Sequence, residues 1–275
     1  MKILLCFLMS LFLINICVAQ RKEKLKGDKE LISTSNPIEE EFGVLEIYDN
    51  LKVTIAQSKN NSYVLTTDKN LAEVVKLEVN NGVLKLNTTA KITGSKKLEI
   101  FLNVKKVSTI ILNDDAELET KGTLTSEFFN LTGNQSSKFD LDIDSKNTSI
   151  ILVKSSAGKI DVKSKEISLN LTDRTDLKGD LDADNLTTQL SKSAKLDLNG
   201  KVNNAIFTLK NSADLRAKKM IAGTITLNAS NNTDIYVHST KNLIIESEGK
   251  SKVYIYGNPN IELKGLTNSS RIIKK

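Results

Sequence analysis

A chain of 275 residues with 39% apolar and 26% charged residues and a formal net charge of +6 is long enough for one repeat domain or two small domains. Aromatic residues make up only 5% and tryptophan is absent, which argues against a compact barrel or sandwich core and for stacked layers of Leu, Ile and Val. Both cysteines, Cys6 and Cys17, precede residue 20, so disulfides, cysteine catalysis and thiolate metal sites are excluded from everything that follows.

Residues 1–19 read as a secretory signal peptide. Met1-Lys2 is a minimal positive start, residues 3–18 are an apolar run broken by Ser10 and Asn15, and Cys17-Val18-Ala19 suits cleavage after Ala19. The run is short for a membrane span and Arg21-Lys22-Glu23-Lys24 follows at once, so no transmembrane span is expected in the mature chain. Acylation of Cys17 instead of its removal is the alternative, although Ile16 stands where a small residue is wanted. The reading therefore gives an exported protein of the periplasm, the cell surface or the medium.

Residues 20–40 are polar and charged and are expected to form a flexible leader. Residues 41–108 are expected to form an N-terminal β region outside the repeat. Val44-Leu45-Glu46-Ile47 and Leu51-Lys52-Val53-Thr54-Ile55 alternate at period two. Leu77-Glu78-Val79 and Val83-Leu84-Lys85-Leu86 flank Asn80-Asn81-Gly82, a hairpin signal because Asn-Gly accepts the positive φ of a tight turn. The one helix candidate is short, near Asn70 to Val75.

Residues 109–275 repeat about every 19 residues. A small or polar residue, a charged residue and an apolar anchor recur as Ala116-Glu117-Leu118, Ser137-Lys138-Phe139, Gly158-Lys159-Ile160, Thr175-Asp176-Leu177, Ala194-Lys195-Leu196, Ala213-Asp214-Leu215, Thr233-Asp234-Ile235, Ser251-Lys252-Val253 and Ser270-Arg271-Ile272. The steps between anchors are 21, 21, 17, 19, 19, 20, 18 and 19 residues. A fixed period near 20 marks a stacked repeat. A unit this small cannot bury its apolar face alone, so successive units must stack into one continuous core. The predicted fold is all-β, a right-handed parallel β-helix-like solenoid with two or three short strands per unit. The last unit, Arg271-Ile272-Ile273-Lys274-Lys275, is followed by no polar cap, which makes self-association through a solenoid end an expectation.

The lysines are spread along the chain and read as solubilising residues of strand edges and outer faces. No aromatic residues interleave with them, so no nucleic-acid partner is expected. The single histidine, His238, would have to carry any histidine-based triad or metal cluster alone, and it reads as a surface residue. If coils stack on the anchors, Glu119, Asp140 and Asp161 form an acidic column that could hold a hard cation, since calcium takes several oxygens; the plainer reading is a solvated strand face. In the same column Tyr236 and Tyr254 fall one coil apart, as a glycan- or protein-binding platform or as ordinary cross-strand pairing. No catalytic residue, cofactor or defined metal site is expected.

Phe42-Gly43, Val53-x-Ile55-x-Gln57, Asp68-x-Asn70-Leu71, Val79-Asn80-Asn81-Gly82 and the run of β-repeats ending near Tyr256-Gly257-Asn258-Pro259 resemble the putative auto-transporter adhesin head (GIN) domain family of secreted bacterial proteins. Family repeats usually turn through Ser-Gly-Ser/Ala; here the turns read Asn113-Asp114-Asp115-Ala116 or Asn211-Ser212-Ala213. The resemblance implies an exported β-helix-like domain with a suspected adhesive role, and it supplies no catalytic residues. The functional expectation is a non-enzymatic, adhesin-like or envelope-associated protein that binds a glycan or a surface protein by contact. The alternative is a carbohydrate-active β-helix enzyme with Glu119, Asp140 and Asp161 as a calcium-dependent acidic centre.

Overall fold

The computed structural model describes residues 22–275; the expected signal peptide lies outside them. Apart from one 3-10 turn at Lys69–Leu71, the regular elements among these residues are strands. The first part carries β1 (Lys24–Lys26), β2 (Leu31–Pro37), β3 (Val44–Ile47), β4 (Lys52–Gln57), β5 (Ser62–Asp68), β6 (Val75–Asn80), β7 (Val83–Thr88), β8 (Lys91–Gly94) and β9 (Leu98–Val104). The repeats carry β10 (Thr109–Leu112), β11 (Glu117–Thr120), β12 (Leu124–Gly133), β13 (Lys138–Leu152), β14 (Ala157–Leu171), β15 (Asp176–Leu190), β16 (Lys195–Leu209), β17 (Asp214–Ala229), β18 (Asp234–Ser247), β19 (Lys252–Tyr256), β20 (Asn260–Leu266) and β21 (Arg271–Lys274). Repeat strands pair in parallel with their counterparts one coil away, giving a β-solenoid of about nine turns with repeats of ~19 residues.

One coil shows why the sequence folds this way. In residues 157–164, Ile160, Val162 and Ser164 are buried while Lys159, Asp161 and Lys163 are exposed, the period-two pattern of a half-buried strand. At Lys165 and Glu166 two successive residues face solvent. The alternation resets there and the chain turns a corner without leaving the ladder. Ile167, Leu169 and Leu171 then point inward. From β13 to β16 each coil therefore has a long arm, a two-residue corner and a short arm within one bent 15-residue strand in place of the two or three short strands expected; β11 and β12, like β19 and β20, remain separate strands. Inward Leu, Ile and Val of all coils merge into one core running from Phe42 to Ile255, each large side chain contributing about 1.5–3 kcal/mol by leaving water.

A four-residue turn joins successive coils. In residues 153–156 the central pair Lys154 and Ser155 has φ of 52° and 67°, and the Ser156 amide donates to the Val153 carbonyl at 3.2 Å. The same left-handed pair recurs as Asp173-Arg174, Lys192-Ser193 and Asn211-Ser212. Left-handed backbone costs an L residue roughly 1–2 kcal/mol. The stack offsets this with inter-turn bonds: Ser155 N–H donates to Asp173 O, Arg174 N–H to Lys192 O and Ser193 N–H to Asn211 O. The fourth turn residue points into the crowded interior, so it is small: Ala116, Ser137, Ser156, Thr175, Ala194 and Ala213 are all buried. This is the physical basis of the small–charged–apolar motif.

The N-terminal region is part of the stack. β3 pairs in parallel with β10 on one side and β7 on the other; β4 pairs likewise with β11 and β9. The β3–β4 coil thus sits, out of chain order, between the β7–β9 layer and the first repeat, and its turn uses left-handed Asp49 and Asn50. The hairpin expected at Asn81-Gly82 joins β6 to β7, with φ of 50° and 77°. β5 and β6 run antiparallel to β9 and β7 and close this end of the core. The flexible leader expected over 20–40 is corrected for its described residues, 22–40: β2 pairs along its length with β5, and β1 pairs with β8. Its polar composition reflects outer strands that face solvent. At the other end Ile261 and Leu263 continue the inward columns of Leu243 and Ile245 but are 47% and 49% exposed.

Candidate functional site

The long arms carry the charges. Glu119 lies beside Asp140 as expected, but Asp140 pairs with Lys159, and Asp161 stands between Asp142 and Asp180. The column Glu119–Asp140–Asp161 therefore does not form. The reason is a shift of two residues: Phe139 aligns with Gly158, not Ile160, and Gly158 aligns with Leu177. Glu119 accepts a hydrogen bond from Thr54 Oγ1 at 2.8 Å, and Asp140 lies 3.9 Å from Lys159 Nζ. Both line a shallow concavity of about 490 Å³ with Lys52, Glu117 and Lys138. Burial pushes the Glu117 carboxyl up, but Lys52 and Lys138, at 3.0 and 3.4 Å, more than offset this and hold it below the ordinary value. Burial, then its like-charged neighbours Asp142 and Asp180, raise the Asp161 carboxyl from its ordinary value. Among the described residues no group of three or more His, Cys, Asp or Glu is arranged to hold a metal ion.

Tyr236 and Tyr254 do meet. Their rings stack with centroids 4.5 Å apart and planes 7° from parallel, on β18 and β19 in register. The column continues to Arg216 beyond Tyr236 and to Ile273 beyond Tyr254, and Lys275 Nζ lies 5.4 Å from the Tyr254 ring centre. The rings stand on edge along the stack, so the faces a flat sugar would need are turned toward neighbours in the column. Burial, the adjacent Tyr254 and the acids Asp234 and Asp214 raise the Tyr236 hydroxyl, against Arg216. His238 sits beside Tyr256 one coil on, its Nδ1 3.3 Å from the Lys218 carbonyl.

The short arms present a different face. Their outward residues form two columns. One runs Thr109, Asn130, Ser149, Ser168, Thr187, Ile206, Thr226 and Ile244; the other runs Ile111, Thr132, Ile151, Asn170, Gln189, Thr208, Asn228 and Glu246. Glu246 alone among these is charged. Beside them the corner carries an amide ladder, with Asn204 Nδ2 donating to Asn185 Oδ1 at 3.0 Å and Asn185 Nδ2 to Glu166 Oε1 at 2.7 Å. The equivalent long-arm columns read Asp140, Lys159, Lys178, Asp197 and Arg216, or Asp144, Lys163, Asp182 and Lys201. Sequence reading followed the charged anchors and missed the neutral face, although a signal is present in repeats that end in segments such as Ile167-Ser168-Leu169-Asn170-Leu171 or Ile225-Thr226-Leu227-Asn228-Ala229, alternating apolar with uncharged polar.

The model of the putative auto-transporter adhesin, head GIN domain, matches residues 41–163 and 152–259. The chain belongs to the GIN-domain family. No curated protein matches its sequence. Among solved structures, a putative adhesin from Parabacteroides merdae ATCC 43184 is 14% identical, with a TM-score of 0.69 and coverage of 92% of this chain and 99% of that one. A putative adhesin and a putative lipid binding protein from Parabacteroides distasonis ATCC 8503 are each 18% identical, at the same TM-score, covering 92% of this chain and all of theirs. At such identities the likeness is one of fold.

Within the GIN-domain frame the turns of this chain are held with few glycines. Glycine is the usual occupant of left-handed backbone, yet Asp, Asn, Lys, Ser, Gln and Arg hold these positions in coil after coil. The turn geometry is kept by stacking and inter-turn hydrogen bonds. No helix among the described residues is long and apolar enough to cross a membrane.

Proposed function

We propose that this GIN-domain protein is an exported, non-enzymatic binding protein that acts by surface contact, an adhesin-like component of the cell envelope. The observation that carries this reading is the division of the rod into two faces, one with columns of mixed charge and one with columns of uncharged residues, each kept coil after coil. Repetition along a rigid sheet suits an extended ligand touched at many points. Naming of the structural neighbours as putative adhesins supports the same reading. The enzyme alternative required Asp161 to join Glu119 and Asp140, and it stands in another column.

Export follows from the signal-like residues 1–19. Protease shaving of intact cells is the test. The expected result is cleavage of this chain while a cytoplasmic marker survives. Retention in the cytoplasm with residues 1–19 still attached would overturn the reading.

A further inference from the structure

We infer that the uncharged short-arm face is the contact surface, and that its ligand is a neutral, hydroxyl-rich polysaccharide lying across the stacked strands. This rests on the reading of the protein as a surface-contact binder and specifies the face and the ligand chemistry. Charged residues make up 26% of the chain, and they crowd the long-arm face. They are absent from the paired short-arm columns between Thr109 and Asn228, on an exposed surface where charge is the ordinary means of keeping a sheet soluble.

Charge complementarity then selects the occupant. An acidic glycan or a charged protein patch would lose its water on this face and gain no counter-charge, a cost that a few hydrogen bonds do not recover. The residues present are Thr, Ser, Asn and Gln, whose hydroxyl and amide groups both donate and accept, as sugar hydroxyls do. Ile151 and Ile206, 41% and 45% exposed, are isolated apolar footholds of the kind that suit the C–H faces of sugar rings. A protein partner would call for an apolar, aromatic-rich centre, and these columns hold no aromatic residue.

Repetition makes the case for a polymer. Uncharged side chains, mostly hydroxyl and amide with an occasional isoleucine, return at every strand spacing of about 4.8 Å, over a run of roughly 29 Å from β10 to β17. A single sugar would use one or two ranks, whereas a chain or a packed polysaccharide surface would use all of them, and linked contacts reinforce one another. The parallel ladders hold the face in place beforehand, so little ordering entropy opposes binding.

The test is co-sedimentation of the mature protein with microcrystalline cellulose, chitin and an insoluble mannan, with heparin beads and a protein-coated bead as comparators. Retention on at least one neutral polymer is expected, and it should persist at about 1 M salt, where charge effects reach only about 3 Å. Thr187→Lys and Thr187→Asp should each weaken it by at least about tenfold, because either sign must be desolvated. Lys178→Ala on the opposite arm should leave it unchanged. Circular dichroism and thermal unfolding of each variant show that the fold is kept, and Gln189→Lys replaces any variant that fails this check. Retention only on heparin or on protein, retention on no neutral polymer, or retention indifferent to both Thr187 changes overturns the inference. Cell-surface shaving separates the two levels: a surface-exposed protein that ignores neutral polymers sinks this inference alone, whereas an unexposed one sinks the reading beneath it.

Discussion

Phe139 lies beside Gly158 of the next coil, and its ring fills the space a side chain at 158 would occupy. Elsewhere the same inward column holds Leu177, Leu196 and Leu215, so one ring and one glycine here share the volume of two leucines. Gly158→Leu alone should overpack the layer and cost about 1–3 kcal/mol. Phe139→Leu alone leaves a void and should cost a similar amount, about 1–3 kcal/mol. The double variant should recover most of the loss, with a coupling of about 0.5–3 kcal/mol between touching residues. Urea unfolding midpoints of the four proteins measure it; strictly additive losses would show that ring and glycine are not a compensating pair.

That pair also explains what the sequence hides. The anchor motif is legible because each position has a physical duty: a small residue inside the turn, a charge outside, a large apolar residue in the core. At Gly158 the large residue is supplied from the neighbouring coil, so the eye slides to Ile160 and the register moves by two. Asp161 is thereby read into the wrong column. The corners are invisible for another reason. Lys165-Glu166 bends the chain with no glycine or proline, only by breaking the alternation. The β3–β4 coil carries the turn signature, with Asp49-Asn50 before Lys52-Val53, but its insertion between later strands is a matter of topology that no local pattern encodes. The neutral face needs the register before its columns exist at all.

Glu117 bridges Lys52 and Lys138 and so ties the out-of-order β4 coil to two repeats. Its carboxyl titrates below its ordinary value of 4.5 in the folded chain. The stabilisation is therefore present above the unfolded value and lost as pH falls through the lower, folded one. Glu117→Gln should cost about 0.5–1 kcal/mol at neutral pH, the range of a partly exposed ion pair, and the gap to the parent should shrink in high salt. Below pH 4.5 the two unfolding curves should converge. A gap constant from neutral to acid would mean that shape, not charge, is what Glu117 contributes.

Ser193 holds φ of 67° in the turn before β16, and its amide donates to Asn211 O. Glycine there relieves the left-handed strain while keeping the donor, so Ser193→Gly should stabilise by about 0.5–1 kcal/mol net of glycine's extra unfolded-state entropy. Ser193→Pro fixes φ near −65° and removes the N–H, and should cost about 3 kcal/mol or more. Thermal unfolding separates the signs. A destabilising glycine would mean that the Ser193 side chain contributes more to the turn than its backbone strain costs.

Tyr236 and Tyr254 allow a role in stability and a role in binding to be told apart. Their near-parallel rings, 4.5 Å between centres, stand in line with Arg216 and Ile273, so the stack resembles a strut laid along the rod near its last coils. A double-mutant cycle with Tyr236→Ala and Tyr254→Ala should give a coupling of about 0.5–1.5 kcal/mol, the usual worth of an aromatic pair beyond its buried area. Retention on neutral polysaccharide should not change in either single variant, because the ring faces are directed at each other and at their column neighbours. If the pair is instead the binding platform that its spacing suggests in the sequence, the pattern inverts: loss of either ring abolishes retention while the melting temperature barely moves. The two readouts come from the same four proteins, and only one of the two patterns is compatible with rings that stand on edge.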